Sequence, residues 1–302
     1  MYVLHSNLAA RRIFEDRWRE QTDNPVPRCL EFPNALALCV AFQQKHTSEL
    51  EIQLRREAAA RRTLAGNRSK LFVSFNGEVR PHRLFVIASL LERKLLERGY
   101  VSLLYRRKGR NETDAEFREI MLRGVLKMPG GRDVFQSASH LLDQLPMTLD
   151  VEEISSPSLE EVAWTSQNPS LYDDSNMSLV IDTSLNDPDL LFITEKVLKP
   201  IMNHSPFILL GNGGSTSVLR YYGFETFEPE INQPNGENEN AVLSSVLDEM
   251  TRLSMMNRQQ LAELNRALMD RCYHNAHHFW TDFPKRLASS FETDVLAPLR
   301  RS

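Results

Sequence analysis

The sequence predicts an α/β fold, a parallel sheet covered by helices on both faces. Two observations predict it. Short apolar runs of strand-forming residues recur at Lys70–Phe75, Tyr100–Tyr105, Met177–Ser184 and Ser205–Gly211. Segments with helical spacing lie between them, which is the alternation that builds a parallel sheet.

In chain order, Met1–Ala65 is mixed, with a basic first stretch and an apolar run at Ala35–Phe42. The segment Ser48–Gly66 is rich in helix formers and stops at glycine. Its arginines, Arg55, Arg56, Arg61 and Arg62, read as a solvated face. After the first strand, NGEVRP is a loop and His82–Gly99 an amphipathic helix closed by its glycine, leading into the second strand. Arg106–Glu161 is more polar and partly helical, with a turn at Met128–Gly131 and a break at Ser155–Ser158. The Met177–Ser184 strand is followed by the loop Asn186–Asp189 and a helix over Phe192–Met202, starting near Thr194. Beyond the Ser205–Gly211 strand come a tight turn, a short helix ended by Gly223, and a further strand at Phe224–Phe227. A polar loop then leads to two amphipathic helices from Asn240 onward. This divides the chain into an N-terminal region, 1–69, a sheet-forming unit, 70–239, and C-terminal helices, 240–302.

Composition excludes several classes of function. The chain has 302 residues, 41% hydrophobic and 25% charged, with a net charge of −4, so no global basic field gathers nucleic acid. Cys29, Cys39 and Cys272 match no zinc spacing and read as small buried side chains in a reducing compartment. No apolar run approaches the roughly 20 residues of a membrane helix, and the first residues lack a signal-peptide core. A cytoplasmic location is expected.

Ligands of open α/β sheets sit at the carboxyl ends of the strands. Two such places carry suitable side chains. FNGEVRPHR presents Arg80, His82 and Arg83 where a loop enters a helix, and guanidinium forks there suit phosphate oxygens. Basic residues at a helix start oppose its dipole and so call for a reason. FITEK offers Thr194 as a helix cap, Glu195 as an acceptor for a ribose diol, and Lys196 as a cation for a diphosphate.

In combination these segments resemble the α-1,3-fucosyltransferase family and related bacterial and phage glycosyltransferases. FVSFNGEVRPHRLFVIASL matches the family's strand and helix-opening arginine at Arg83, and SLVIDTS matches a strand-end triplet at Asp182, Thr183 and Ser184. FITEK is nearly identical to the family's helix start, while SPFILLGNGGS occupies its strand and glycine turn at Gly211, Asn212 and Gly213. The match covers about half the chain in order and spacing. The resemblance implies a GT-B-like arrangement: a Rossmann-type donor domain, here with a short N-terminal acceptor-side region and C-terminal helices. It implies an inverting, metal-independent transfer from a nucleotide-sugar to a glycan or other hydroxyl acceptor, with no cofactor. Arg83 and Lys196 would hold the diphosphate and Glu195 the ribose. No residue matches the family's catalytic base; Glu31 and Glu78 are the local carboxylates. That gap keeps a non-catalytic nucleotide-sugar-binding protein as the alternative.

Other signals read as structure. Asp187-Pro188-Asp189 has the form of a metal-binding D-x-D but reads as a turn. GNGGST lacks the spacing of a dinucleotide fingerprint, so an oxidoreductase is the weaker reading; a tight turn and a close approach to the donor both stay open. His274, His277 and His278 read as part of an ordinary packed helix, His204 as a cleft residue, and Trp164 and Trp280 as core.

Overall fold

The computed structural model describes residues 2–5, 19, 28–31, 33–105, 112–149, 168–185, 193–234 and 238–300. Near the N-terminus, β1 (Tyr2–His5) pairs in parallel with β2 (Arg28–Glu31). The apolar run after it is a helix, α1 (Asn34–His46), whose Leu36, Cys39 and Val40 enter the main core. Helix α2 (Glu49–Ala65) follows, opened by a Ser48–Glu51 capping box. Gly66, at φ 60°, closes it in the left-handed region, where a side chain would be strained.

The main sheet holds four parallel strands in the order β4-β3-β5-β6: β3 (Lys70–Glu78), β4 (Gly99–Tyr105), β5 (Ser175–Ile181) and β6 (Phe207–Leu210). Every residue of β5 and of the edge strand β6 is buried, as a parallel sheet covered on both faces requires. Helix α3 (Pro81–Glu92) runs from β3 toward β4, and α4 (Asp114–Leu126) and α5 (Phe135–Asp143) pack against it. Helix α6 (Pro169–Asp173) precedes β5, and α7 (Leu198–Met202) and α8 (Ser215–Tyr221) flank β6. The tail forms α9 (Glu239–Ser254), α10 (Arg258–Thr281) and α11 (Phe283–Ser290). A π-helical turn, Phe291–Leu296, touches β2 before α12 (Ala297–Arg300). The chain is thus α/β around a parallel, Rossmann-like sheet. Among the described residues no helix is long and apolar enough to cross a membrane.

Three boundaries differ from the sequence reading, each for a local reason. The helix expected to reach Gly99 stops at Glu92, because Lys94 turns left-handed at φ 57°. Lys94 N–H then bonds Leu91 O at 2.9 Å and Leu95 N–H bonds Leu90 O at 2.8 Å, the paired bonds of a Schellman ending. The helix expected over Phe192–Met202 is instead a 3₁₀ turn, Glu195–Val197, followed by α7. Phe224–Phe227 is not a strand. The Asn275 side chain occupies both backbone groups of Glu225, accepting from its N–H at 2.7 Å and donating to its carbonyl at 2.8 Å. The free edge of β6 is met by another amide, that of Gln233, which accepts from Leu209 N–H at 3.0 Å and donates to Phe207 O at 2.7 Å. Asn275→Ala is expected to cost about 2–4 kcal/mol in urea unfolding, since both Glu225 groups lose their partner in a partly buried setting.

Candidate active site

Chain connectivity gives the main sheet a topological switch point. From β3 the chain moves to β4 on one side and later to β5 on the other, so the order reverses between β3 and β5. At such a point the loops leaving the carboxyl ends diverge and open a ligand-sized space. The residues following β3 and β5 are Arg80–Arg83 and Asp182–Ser184.

Pro81 starts α3, its fixed φ and absent N–H suiting the first helical position. That sets His82 and Arg83 in the first turn, turned inward. Arg83 is 1% exposed; its Nη1 donates to Glu78 O at 2.8 Å and its Nη2 to Asp182 O at 3.1 Å. One guanidinium therefore ties the end of β3 to the end of β5. Burial lowers its pKa to about 10, which still leaves it charged at neutral pH. His82 Nε2 lies 3.0 Å from the same Asp182 carbonyl. A carbonyl only accepts, so Nε2 carries the proton and Nδ1 the lone pair of a neutral ring. Burial pushes the His82 pKa down to about 4, and the charges of Arg83, Arg80 and Lys196 add to it against the raising effect of the Asp182 bond.

Asp182 is the node. It is 2% exposed, and Oδ1 accepts from Thr183 N–H at 2.7 Å and from the Thr194 hydroxyl at 2.6 Å. Burial raises its pKa, opposed by Lys196 and by these hydrogen bonds. Thr194 does not cap a helix through its side chain; its hydroxyl is given to Asp182, pinning the segment that carries Glu195 and Lys196 to the end of β5. Lys196 Nζ then sits 3.3 Å from Thr183 Oγ1, 3.4 Å from Thr194 Oγ1 and 3.3 Å from Glu195 Oε1. These contacts are long for hydrogen bonds, so an incoming anion can draw the ammonium away at low cost. Ser184, next in the chain after Thr183, is half-buried.

The two base candidates differ in setting. Glu78 ends β3 and accepts from Arg80 Nη2 at 2.8 Å, with both side chains partly exposed. Glu31 ends β2, but its side chain lies outside the described residues. Helix α1, which follows it, packs on the Glu195–Val197 turn.

The turn after β6 adjoins this cluster. A Cβ added to Gly211 would lie 3.2 Å from Ser215 Oγ and 3.4 Å from Asp182 Cβ, so a side chain there would have to push its neighbours aside by a few tenths of an ångström. Gly214 takes φ 91° to enter α8. Gly211, Asn212 and Gly213 line a cavity of about 390 Å³ together with Ser215, Arg220 and Glu228. Ser215 belongs to the glycine turn read from the sequence, whereas Arg220, Glu228 and Asn232, which shares the same wall, were not anticipated. Arg220 and Glu228 are ordinary surface residues in type, and only the fold makes them neighbours. It also missed Asn76, fully buried near the end of β3, whose N–H donates to Ser102 Oγ at 3.1 Å.

Several residues read earlier in other ways find defined places. His204 is not in the crevice. It ends α7 at φ 51° before β6 begins, at the amino end of the sheet, edge-on to Tyr273 at 5.3 Å. His274 and His278 ring nitrogens sit 3.0 Å from Gly223 O and 2.7 Å from Tyr222 O, so both rings cap the end of α8. Burial pushes the Cys272 thiol up to about 12. Asp187, Asp189 and Trp164 lie outside the described residues.

No protein-family model matches the chain, and no curated protein matches it. A solved structure, the N-terminal domain of Candida albicans trehalose-6-phosphate phosphatase, is similar over 88% of this chain at 14% identity and a TM-score of 0.31. The chain spans 50% of that structure's length, and a likeness of this size carries no argument about fold or activity.

Proposed function

We propose that the protein is a glycosyltransferase of GT-B-like design, using a nucleotide-sugar donor. The observation that carries this reading is convergence: Arg83 from α3 bonds to the Asp182–Thr183 corner at 3.1 Å, and the Lys196 ammonium from the turn after β5 lies 3.3 Å from it. In the proposed complex the donor's diphosphate lies between Lys196 and the start of α3. Arg80 and Lys196 contact it, and buried Arg83 holds the corner in place and adds its charge from behind. Glu195 accepts hydrogen bonds from the ribose diol. An acceptor oxygen gives its proton to a carboxylate, Glu31 or Glu78, and forms the new bond to the anomeric carbon. The bond from that carbon to the diphosphate oxygen breaks, and Lys196 stabilises the departing charge. The ion pair between Glu78 and Arg80 favours a second reading, donor binding without transfer.

Titration with GDP and UDP tests the proposal. Binding of one nucleotide is expected, weakened about tenfold to a hundredfold by Lys196→Ala, the range for losing one charge-assisted hydrogen bond. Tight binding indifferent to the substitution counts against the site. Release of free sugar from the donor separates transfer from binding alone.

A further inference from the structure

The cavity behind the Gly211–Gly214 turn has walls that are built and anchored, and we propose that it is a subsite for a neutral pyranose ring. This deepens the glycosyl-transfer reading and rests on it for the ring's role in the reaction.

The anchoring comes from the wall itself and from the residues behind it. Arg220 donates through Nε to Thr226 Oγ1 at 2.9 Å and through Nη2 to Glu228 Oε1 at 2.6 Å, so its plane is fixed. Asn232 donates through its backbone N–H and its Nδ2 to Glu249, at 3.1 Å and 2.8 Å. Glu249 is 2% exposed and is held in turn by Arg252. Gln233 is locked to the β6 edge. Arg220, Asn232 and Gln233 are thus positioned before any ligand arrives, and such preorganisation lowers the cost of binding.

What remains on those side chains fits hydroxyl groups. Arg220 keeps its Nη1 donors and Asn232 its Oδ1 acceptor, while Glu228, which also accepts from Thr226 and its own N–H, keeps a remaining lone pair. Ser215 Oγ is buried, its residue 3% exposed, and has no hydrogen-bond partner among the described residues. Paired opposite charges on Arg220 and Glu228 leave no net field for an ion, which favours a neutral polyol. Leu209 and Val242 supply a small apolar surface for the C–H face of a ring. Among the described residues no aromatic side chain lines the cavity, so a stacked nucleobase has no platform. The cavity meets the diphosphate corner through Gly211, which abuts Asp182.

The ring belongs either to the donor or to a glycan acceptor, and one set of measurements distinguishes them. Methyl glycosides of glucose, galactose, fucose and N-acetylglucosamine are tested by saturation-transfer NMR against the wild-type protein and Ser217→Trp, which fills the cavity from an exposed lining position. Calorimetry compares a nucleoside diphosphate with its sugar conjugate on the wild type and on Glu228→Gln. A donor ring predicts that Glu228→Gln weakens the conjugate about tenfold and leaves the bare nucleotide unchanged. An acceptor ring predicts glycoside signals that Ser217→Trp abolishes while conjugate affinity stays. The inference is overturned if no glycoside signal depends on Ser217 and conjugate affinity is indifferent to Glu228. Should Ser217→Trp fail to fold, Glu228→Gln replaces it in the glycoside arm. Failure of nucleotide binding with glycoside binding intact would remove the donor site and leave the ring subsite standing.

Discussion

Arg83→Met is expected to cost roughly 3–5 kcal/mol of folding stability and to abolish nucleotide binding. The guanidinium is buried and serves the carbonyls of Glu78 and Asp182, which lie on two neighbouring strand ends. Methionine fills much of the volume but leaves both carbonyls without these donors and lets the Asp182–Thr183 corner relax. Arg83→Lys should recover little, because a single ammonium cannot reproduce the fork that spans two carbonyls. Urea unfolding reads the first effect and nucleotide calorimetry the second. Unchanged stability would mean that the clamp does not hold the crevice.

Acid should destabilise the protein steeply between about pH 6.5 and pH 4. Burial pushes both His82 and His204 down to about 4 from an ordinary value of 6.5. The sign follows from proton counting. Below pH 6.5 the unfolded chain takes up protons that the folded rings refuse, so stability is fully present above that value and is lost as pH falls toward 4. A shift of that size corresponds to about 3 kcal/mol per histidine. The groups facing His82 are Arg83, Arg80, Lys196 and the Asp182 carbonyl, and those facing His204 are Arg62, Arg56 and Arg55, with Tyr273 against its ring. Unfolding free energy measured across this range should therefore fall, and replacing either histidine with glutamine should flatten the profile. A flat profile in the parent protein would contradict the buried, neutral state of both rings.

Much of the fold was legible because parallel strands buried on both faces leave near-continuous apolar runs, and all four strands of the main sheet lie on those runs. What escaped depended on partners distant in sequence. Nothing in FETF announces that Asn275 will take the backbone bonds of Glu225 in place of a neighbouring strand. Thr194 has the chemistry of a cap, and only the nearness of Asp182 turns its hydroxyl elsewhere. At the candidate site, Arg83 and Lys196 stood out by residue type and Asp182 through the family resemblance, whereas their shared corner required the strand order. Arg220, Glu228 and Asn232 carried no signal in one sequence, since a polar loop and a short helix are ordinary surface features until the cavity is seen. His204 shows the reverse error: it precedes a buried strand, and in a parallel sheet that order alone places it at the amino end, away from the loops at the carboxyl ends.

The most direct test is a crystal structure of the protein with a nucleoside diphosphate bound. Lys196 Nζ should have left Thr183 and Thr194 to contact the diphosphate, with α3 on the opposite side and Arg83 still bonded to the carbonyls of Glu78 and Asp182. A nucleotide seated elsewhere, with Lys196 still turned to its threonines, would contradict the account.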